Sequence, residues 1–215
     1  VRLDATGALV PELANRWEWS NGGLTLTFHL RSDGVWTNGD PVTAVDFEYS
    51  WKRALSPQRD SANAVQLFGI VGAEAYNACN PENQDCEALR ERVAVDAVDD
   101  VTLEVRLTRR QPWFVFRVTD PAFLPVHEPT VREFRGRWAN PQNIVTNGPF
   151  RLVARARGSS LRLERWDQWR KADSVQLAVI EASVLSDPVA GLEAFESGEL
   201  DACLDSQCVP DDEVE

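Results

Sequence analysis

An α+β fold, with mixed β-sheets and flanking helices, follows from three stretches of the sequence. In "GLTLTFHL" (residues 23–30), Leu24, Leu26, Phe28 and Leu30 alternate with Thr25, Thr27 and His29, the period of a strand with one buried face. After the turn cluster "SDGVWTNGD" the rhythm becomes helical: Ala44, Phe47, Trp51, Ala54 and Leu55 form an apolar stripe. Thr43 stands three residues before Asp46, the spacing of a capping box with Asp in place of the usual Glu or Gln. From Ile144 onward "NGPFRLVAR", "SSLRLERW" and "VQLAVI" read as three successive strands. A helix, "DPVAGLEAFESGELDA", follows them, opened by Asp187 and Pro188 and closed at Gly198.

The other elements fall between these. Residues 1–22 read as an irregular entry carrying Leu13, Trp17 and Trp19 and ending in the turn "SNGG". The strand follows, and Trp36 is the expected buried anchor of the next turn. On the first helix Glu48 and Lys52 form an exposed i, i+4 pair, and "SPQ" at 56–58 ends the element. Residues 61–92 are mixed and helical in part, with the Cys79-to-Cys86 loop protruding. "VAVDAVDDVTLEVRL" reads as a hairpin with Val93, Val95, Leu103, Val105 and Leu107 inward and Asp99-Asp100 at the turn. A short apolar helix in "QPWFVFRV", an extended stretch and a helix in "TVREFRGRW" lead to the second group of strands. A further strand is expected after Gly198. The chain thus divides near residue 128 into two α+β pieces, with no internal repeat or low-complexity tract.

Composition narrows the function. The net charge of −12 offers no surplus of cations to displace counterions from nucleic acid or to bind an anionic membrane surface. No run of 18 apolar residues occurs. There is neither a G-x-x-x-x-G-K-[ST] nor a G-x-G-x-x-G loop, so nucleotide binding lacks its cradle. His29 and His127 lie in separate segments without a triad-like neighbourhood and read as ordinary surface or loop residues. The chain is therefore not expected to be an enzyme, and neither a cofactor nor a metal is implied. Most of the tryptophans, Trp17, Trp36 and Trp51 among them, fall on apolar faces and are expected in the core. Cys79, Cys86, Cys203 and Cys208 lack the spacing of a zinc site; as disulfides they allow three pairings, which the spacing leaves open. With no methionine and no signal peptide, the chain is expected to be a processed or excised piece of something longer.

One long stretch is more specific. "PELANRWEWSNGGLTLTFHLRSDGVWTNGDPVTAVDFEYSWKRAL" (residues 11–55) resembles the signature region of the family 5 extracellular solute-binding proteins. These are the oligopeptide-, dipeptide- and nickel-binding receptors of ABC importers. The resemblance continues in register through "VDAVDDVTLEVRL", "NPQNIVTNGPFRL", "LRLERWDQW" and "FESGELDA". It implies part of a periplasmic-binding-protein-like lobe (type II, cluster C). Residues 1–128 then correspond to the bracing subdomain (Ib-like) and 129–215 to part of the first ligand-binding lobe (Ia-like), the second lobe being absent. The implied function is capture of peptides or a similar small solute for a membrane permease. The implied setting is extracellular or periplasmic, with the full-length protein lipid-anchored and monomeric. Candidate ligand-binding residues are Asn63, where some peptide-binding relatives place a cleft-lip tyrosine, and Leu204, which replaces a tyrosine after "SGELD", with Asp205 and Ser206 beside it. Sequence proximity and the exported character of the family together imply the disulfides Cys79–Cys86 and Cys203–Cys208. The competing reading is a solute-binding-like sensor or scaffold domain of an envelope or signalling protein, with weak or no ligand binding.

Overall fold

The alternating run at the heart of the sequence becomes strand β4 (Thr25–Leu30) of a computed structural model that describes residues 1–59, 61–185 and 187–203. Leu26, Phe28 and Leu30 are buried as the period demands. Leu24 precedes the strand and is only half-buried, while Thr25 is buried. The register begins one residue late because the chain enters through a tight turn with positive φ at Asn21, Gly22 and Gly23, a backbone region that favours glycine.

The expected irregular entry is in fact structured. Residues Arg2–Leu3 (β1) and Leu9–Val10 (β2) form a small hairpin, and Ala14–Ser20 is a seven-residue strand, β3, paired antiparallel with β4. Trp17 stands opposite Phe28 and Trp19 opposite Leu26. A register shift between Ala14 and Arg16 interrupts the alternation, which hides the strand from a period-based reading. The hairpin β5 (Val95–Asp99) and β6 (Thr102–Arg106) forms as expected and completes a four-stranded sheet ordered β3-β4-β6-β5.

Helix α1 (Ala44–Ala54) begins at Thr43 as predicted, with the Thr43 N–H donating to the Asp46 carboxylate at 2.8 Å. It lays Trp51 on the sheet, edge-on to Phe28 at 6.5 Å and to Phe123 at 4.9 Å. Its charged pair is not exposed. Lys52 is 2% exposed, its ammonium 2.7 Å from Glu48 Oε1, while Glu48 Oε2 accepts from the Ala97 N–H at 2.8 Å. The 48/52 stripe faces β5 rather than water, so both charges are held against the sheet.

Short helices α2 (Ala73–Asn77) and α3 (Cys86–Glu91) flank the protruding loop, which the Cys79–Cys86 disulfide closes with a Cα–Cα distance of 5.7 Å. Helix α4 (Phe114–Arg117) supplies Phe114, edge-on to Phe123 at 5.8 Å. The buried hydrophobic cluster runs from Ala14 to Phe123, around the four-stranded sheet.

Helix α5 (Glu128–Phe134) leads to a second antiparallel sheet, ordered β7 (Phe150–Ala156), β8 (Ser160–Arg165) and β9 (Val179–Ser183). The third strand starts four residues later than "VQLAVI" suggested. Ile180 and Ala182 are its half-buried positions, opposite in parity to Leu177, which is exposed. Residues 166–178 form an excursion tied back by Arg165, whose Nη1 donates to the Val175 carbonyl at 3.1 Å. Helix α6 (Pro188–Glu196) is capped by Asp187 and stops at Gly198, which has φ +77°. The strand expected after Gly198 lies largely outside the described residues. Every pairing among the described strands is antiparallel.

Candidate functional site

A polar cluster sits beside the start of α5, and the turn "WTNGD" builds it. Gly39, at φ +94°, lets the chain reverse so that the Trp36 N–H donates to the Asp40 carbonyl at 2.8 Å. Trp36 is thereby folded inward, 1% exposed as expected, and its indole N–H donates to Asp46 Oδ2 at 3.3 Å. Burial pushes the Asp46 carboxyl above the ordinary carboxylate range, and hydrogen bonds from Thr43 and Trp36 pull part of the way back.

Against this unit sits His127, a loop residue at the N-cap of α5 that is buried and not on the surface. Its Nε2 lies 3.0 Å from Asp40 Oδ2 and its Nδ1 2.7 Å from Thr130 Oγ1. Its ring meets Trp36 at 5.4 Å with planes inclined by 62°. An Asp–His–hydroxyl chain has the composition of a hydrolytic triad, but its parts do other work. Thr130 is itself buried and lies one turn along α5, and its N–H donates to the same Nδ1 at 3.4 Å. The histidine caps a helix and clamps a loop, leaving no exposed nucleophile. The local signal was weak because the partners lie 87 residues apart. His29, half-buried on β4, pairs with Glu18 across the β3–β4 ladder at 2.9 Å.

Three further contacts join residues far apart in the chain. The Thr37 N–H donates to the Thr146 carbonyl at 2.7 Å, and the Thr146 N–H donates to Thr37 Oγ1 at 3.1 Å. The Arg53 guanidinium lies 5.4 Å from the centre of the Trp138 ring, a cation–π distance. Glu12 forms ion pairs with Arg170 and Lys171.

Of the candidate ligand residues, Asn63 is exposed on a 3-10 segment, Ala62–Leu67, that is pinned by the buried Ala64 and Leu67. Leu204, Asp205 and Ser206 lie outside the described residues, as does Cys208, and with it the Cys203–Cys208 pairing. Of the four candidates, Asn63 alone falls within the described residues. Among the described residues no group of three or more His, Cys, Asp or Glu side chains could hold a metal, and no helix is long and apolar enough to cross a membrane.

Known proteins share both the sequence and this architecture. The family model for bacterial extracellular solute-binding proteins, family 5 (middle region), matches residues 8–211. The dipeptide-binding protein DppE of Bacillus subtilis is 38% identical over 191 residues, covering 89% of this chain and 34% of that protein. The oligopeptide-binding protein OppA of the same organism is 38% identical over 202 residues, covering 93% and 36% respectively. Among solved structures, Burkholderia pseudomallei OppA superimposes with a TM-score of 0.83 at 29% identity, over 93% of this chain and 38% of that one. An oligopeptide ABC transporter substrate-binding domain from Bacillus anthracis gives 0.81 at 34% identity, over 93% and 37%. The chain thus spans about a third of the length of these relatives. With a match running almost end to end, the chain belongs to the bacterial extracellular solute-binding proteins, family 5.

Proposed function

We propose that this chain is part of the solute-binding component of an ABC importer, an extracellular or periplasmic receptor that captures peptides or a similar small solute for a membrane permease. The observation that carries the reading is the family match over residues 8–211, supported by relatives whose names describe dipeptide and oligopeptide binding. In this reading residues 1–128 brace the receptor and 129–215 contribute to its first ligand-binding lobe. The exposed Asn63 stands at the cleft lip, with Leu204, Asp205 and Ser206 as further contacts. The full-length receptor is monomeric and lipid-anchored. Capture then works by enclosure: backbone hydrogen bonds and adaptable pockets from two lobes bury most of the solute.

The uneven burial of the second piece supports a partial lobe. Val179, Val184, Val189 and Phe195 are all more than a third exposed, more apolar surface than an isolated strand-and-helix layer leaves open by choice. Titration calorimetry with a mixed di- to pentapeptide library tests the proposal on the full-length gene product and on these 215 residues. Micromolar binding by the full-length protein, with at least about a hundredfold loss in the 215-residue chain, is the expected result, since one wall of a two-lobed site recovers little of the association cost. Absence of binding by the full-length protein to any member would overturn it in favour of a sensor or scaffold.

A further inference from the structure

On the face of the first piece, the end of β6 turns into the 109–113 loop and leaves a groove of about 520 Å³ beside Gly69. The size falls in the range of small-molecule sites. Its floor is built closely. The Thr108 N–H and hydroxyl both donate to the Gly69 carbonyl, at 2.9 and 3.2 Å. Gln111 packs flat on Gly69: a Cβ added there would fall 2.7 Å from Gln111 Nε2 and 3.0 Å from Oε1. Gln111 is 4% exposed and lines the groove. A side-chain amide in the wall of a groove can both donate to and accept from a bound polar group.

The rim supplies the remaining chemistry. Trp113, 54% exposed, offers a ring face. Arg109 and Arg117 line the same groove with no ion pair among the described residues; Arg117 uses one N–H on the Gln66 carbonyl at 3.4 Å. Glu74 is the one carboxylate in the lining. Two cations against one anion is a local reversal of charge in a chain with 34 acidic and 22 basic residues. Planar guanidinium groups suit carboxylates, and an indole face suits a second flat ring. We propose that this groove binds a small aromatic carboxylate, its ring on Trp113, its carboxylate on Arg109 and Arg117, and its polar backbone on the Gln111 amide. Asn63 is not among the lining residues, so the proposal does not depend on its role.

The test titrates N-acetyl-L-phenylalanine into the 215-residue chain and follows the Trp113 indole and Gln111 side-chain amide signals by NMR. Saturable shifts of both, with a dissociation constant of about 1 mM, are expected for one stacked ring and a few hydrogen bonds. N-acetyl-L-phenylalaninamide, which lacks the carboxylate, should bind about tenfold more weakly, and so should Arg117→Gln. Trp113→Ala should remove saturation. Both substituted side chains lie at the rim, and unchanged dispersion of the remaining signals verifies the fold. No shift up to about 20 mM ligand, equal binding of acid and amide, or shifts that persist in both variants would each overturn the proposal. Because it is read on this chain with a single amino-acid derivative, failure here leaves peptide capture by the full-length receptor untouched.

Discussion

Deleting one partner of the Glu48–Lys52 pair should have very different consequences depending on which is removed. Lys52 is 2% exposed and its ammonium has Glu48 at 2.7 Å, whereas the Glu48 side chain is 30% exposed and also holds the Ala97 N–H. Glu48→Ala strands a charge in the interior and releases a strand N–H. Stranding a buried charge costs about 3–5 kcal/mol, and the opening left at position 48 admits some water, which places this case near the low end, about 3 kcal/mol. Lys52→Met removes the charge that needs a partner and keeps the packing of the stem. Glu48 then retains its solvent contact and the Ala97 N–H, so the expected change is within about 1 kcal/mol of wild type, of either sign. Equilibrium urea unfolding followed by tryptophan fluorescence measures both variants, with the m-value checking that the unfolded states are comparable. Equal losses for the two variants, or a loss below about 0.5 kcal/mol for Glu48→Ala, would mean that the pair behaves as a solvated surface bridge and that the burial argument is wrong.

Other consequences are open to the same assay. Phe28, 4% exposed and edge-on to Trp51, should cost about 3–5 kcal/mol on replacement by Ala; a loss below about 1 kcal/mol would mean the strand's faces are inverted. Replacing Cys79 and Cys86 by Ser opens a bridge between residues seven apart, for which loop-closure entropy gives about 2.5 kcal/mol; non-reducing peptide mapping should also recover the 79–86 linkage. Asp46→Asn keeps an acceptor for Thr43 and Trp36 while removing a buried charge. The folded-state pKa of Asp46 is raised, so its protonation stabilises the fold. That contribution is fully present below the unfolded carboxylate value of about 3.9 and is lost as pH rises through the folded value. Wild type should therefore gain stability relative to Asp46→Asn on acidification across that window, and a difference that does not change with pH would refute the raised pKa.

What could be read from the sequence follows the range of the interactions concerned. Strand β4, the capping box of α1 and the β5–β6 hairpin are set by residues a few positions apart, and all three formed within one residue of where the pattern placed them. Strand β3 escaped because a register shift breaks its alternation, and β9 was displaced because Val175 and Leu177 continue an apolar parity that the ladder does not use. The burial of Lys52 depends on β5 lying across its helix face, and that of His127 on Asp40 and Trp36, 87 residues or more away. No local window contains that information. The candidate site divides in the same way: the Asn63 proposal rests on the family resemblance, whereas the groove at Gly69 brings in Gln111 from 42 positions further along the chain.

The seam between the pieces bears on how a receptor built from this chain would move. Each ion pair at Glu12 contributes little by itself, but the reciprocal Thr37–Thr146 hydrogen bonds and the Arg53–Trp138 contact tie residues 138–146 back to the proposed bracing part at two places. Rotating one part on the other would break the Thr37–Thr146 hydrogen bonds and the Arg53–Trp138 contact. Hinge closure uses a few residues that absorb large backbone changes with little packing lost, and the seam is the opposite of that. In the proposed receptor the described residues therefore move as one body, and the closing motion belongs to the connection between this body and the second lobe.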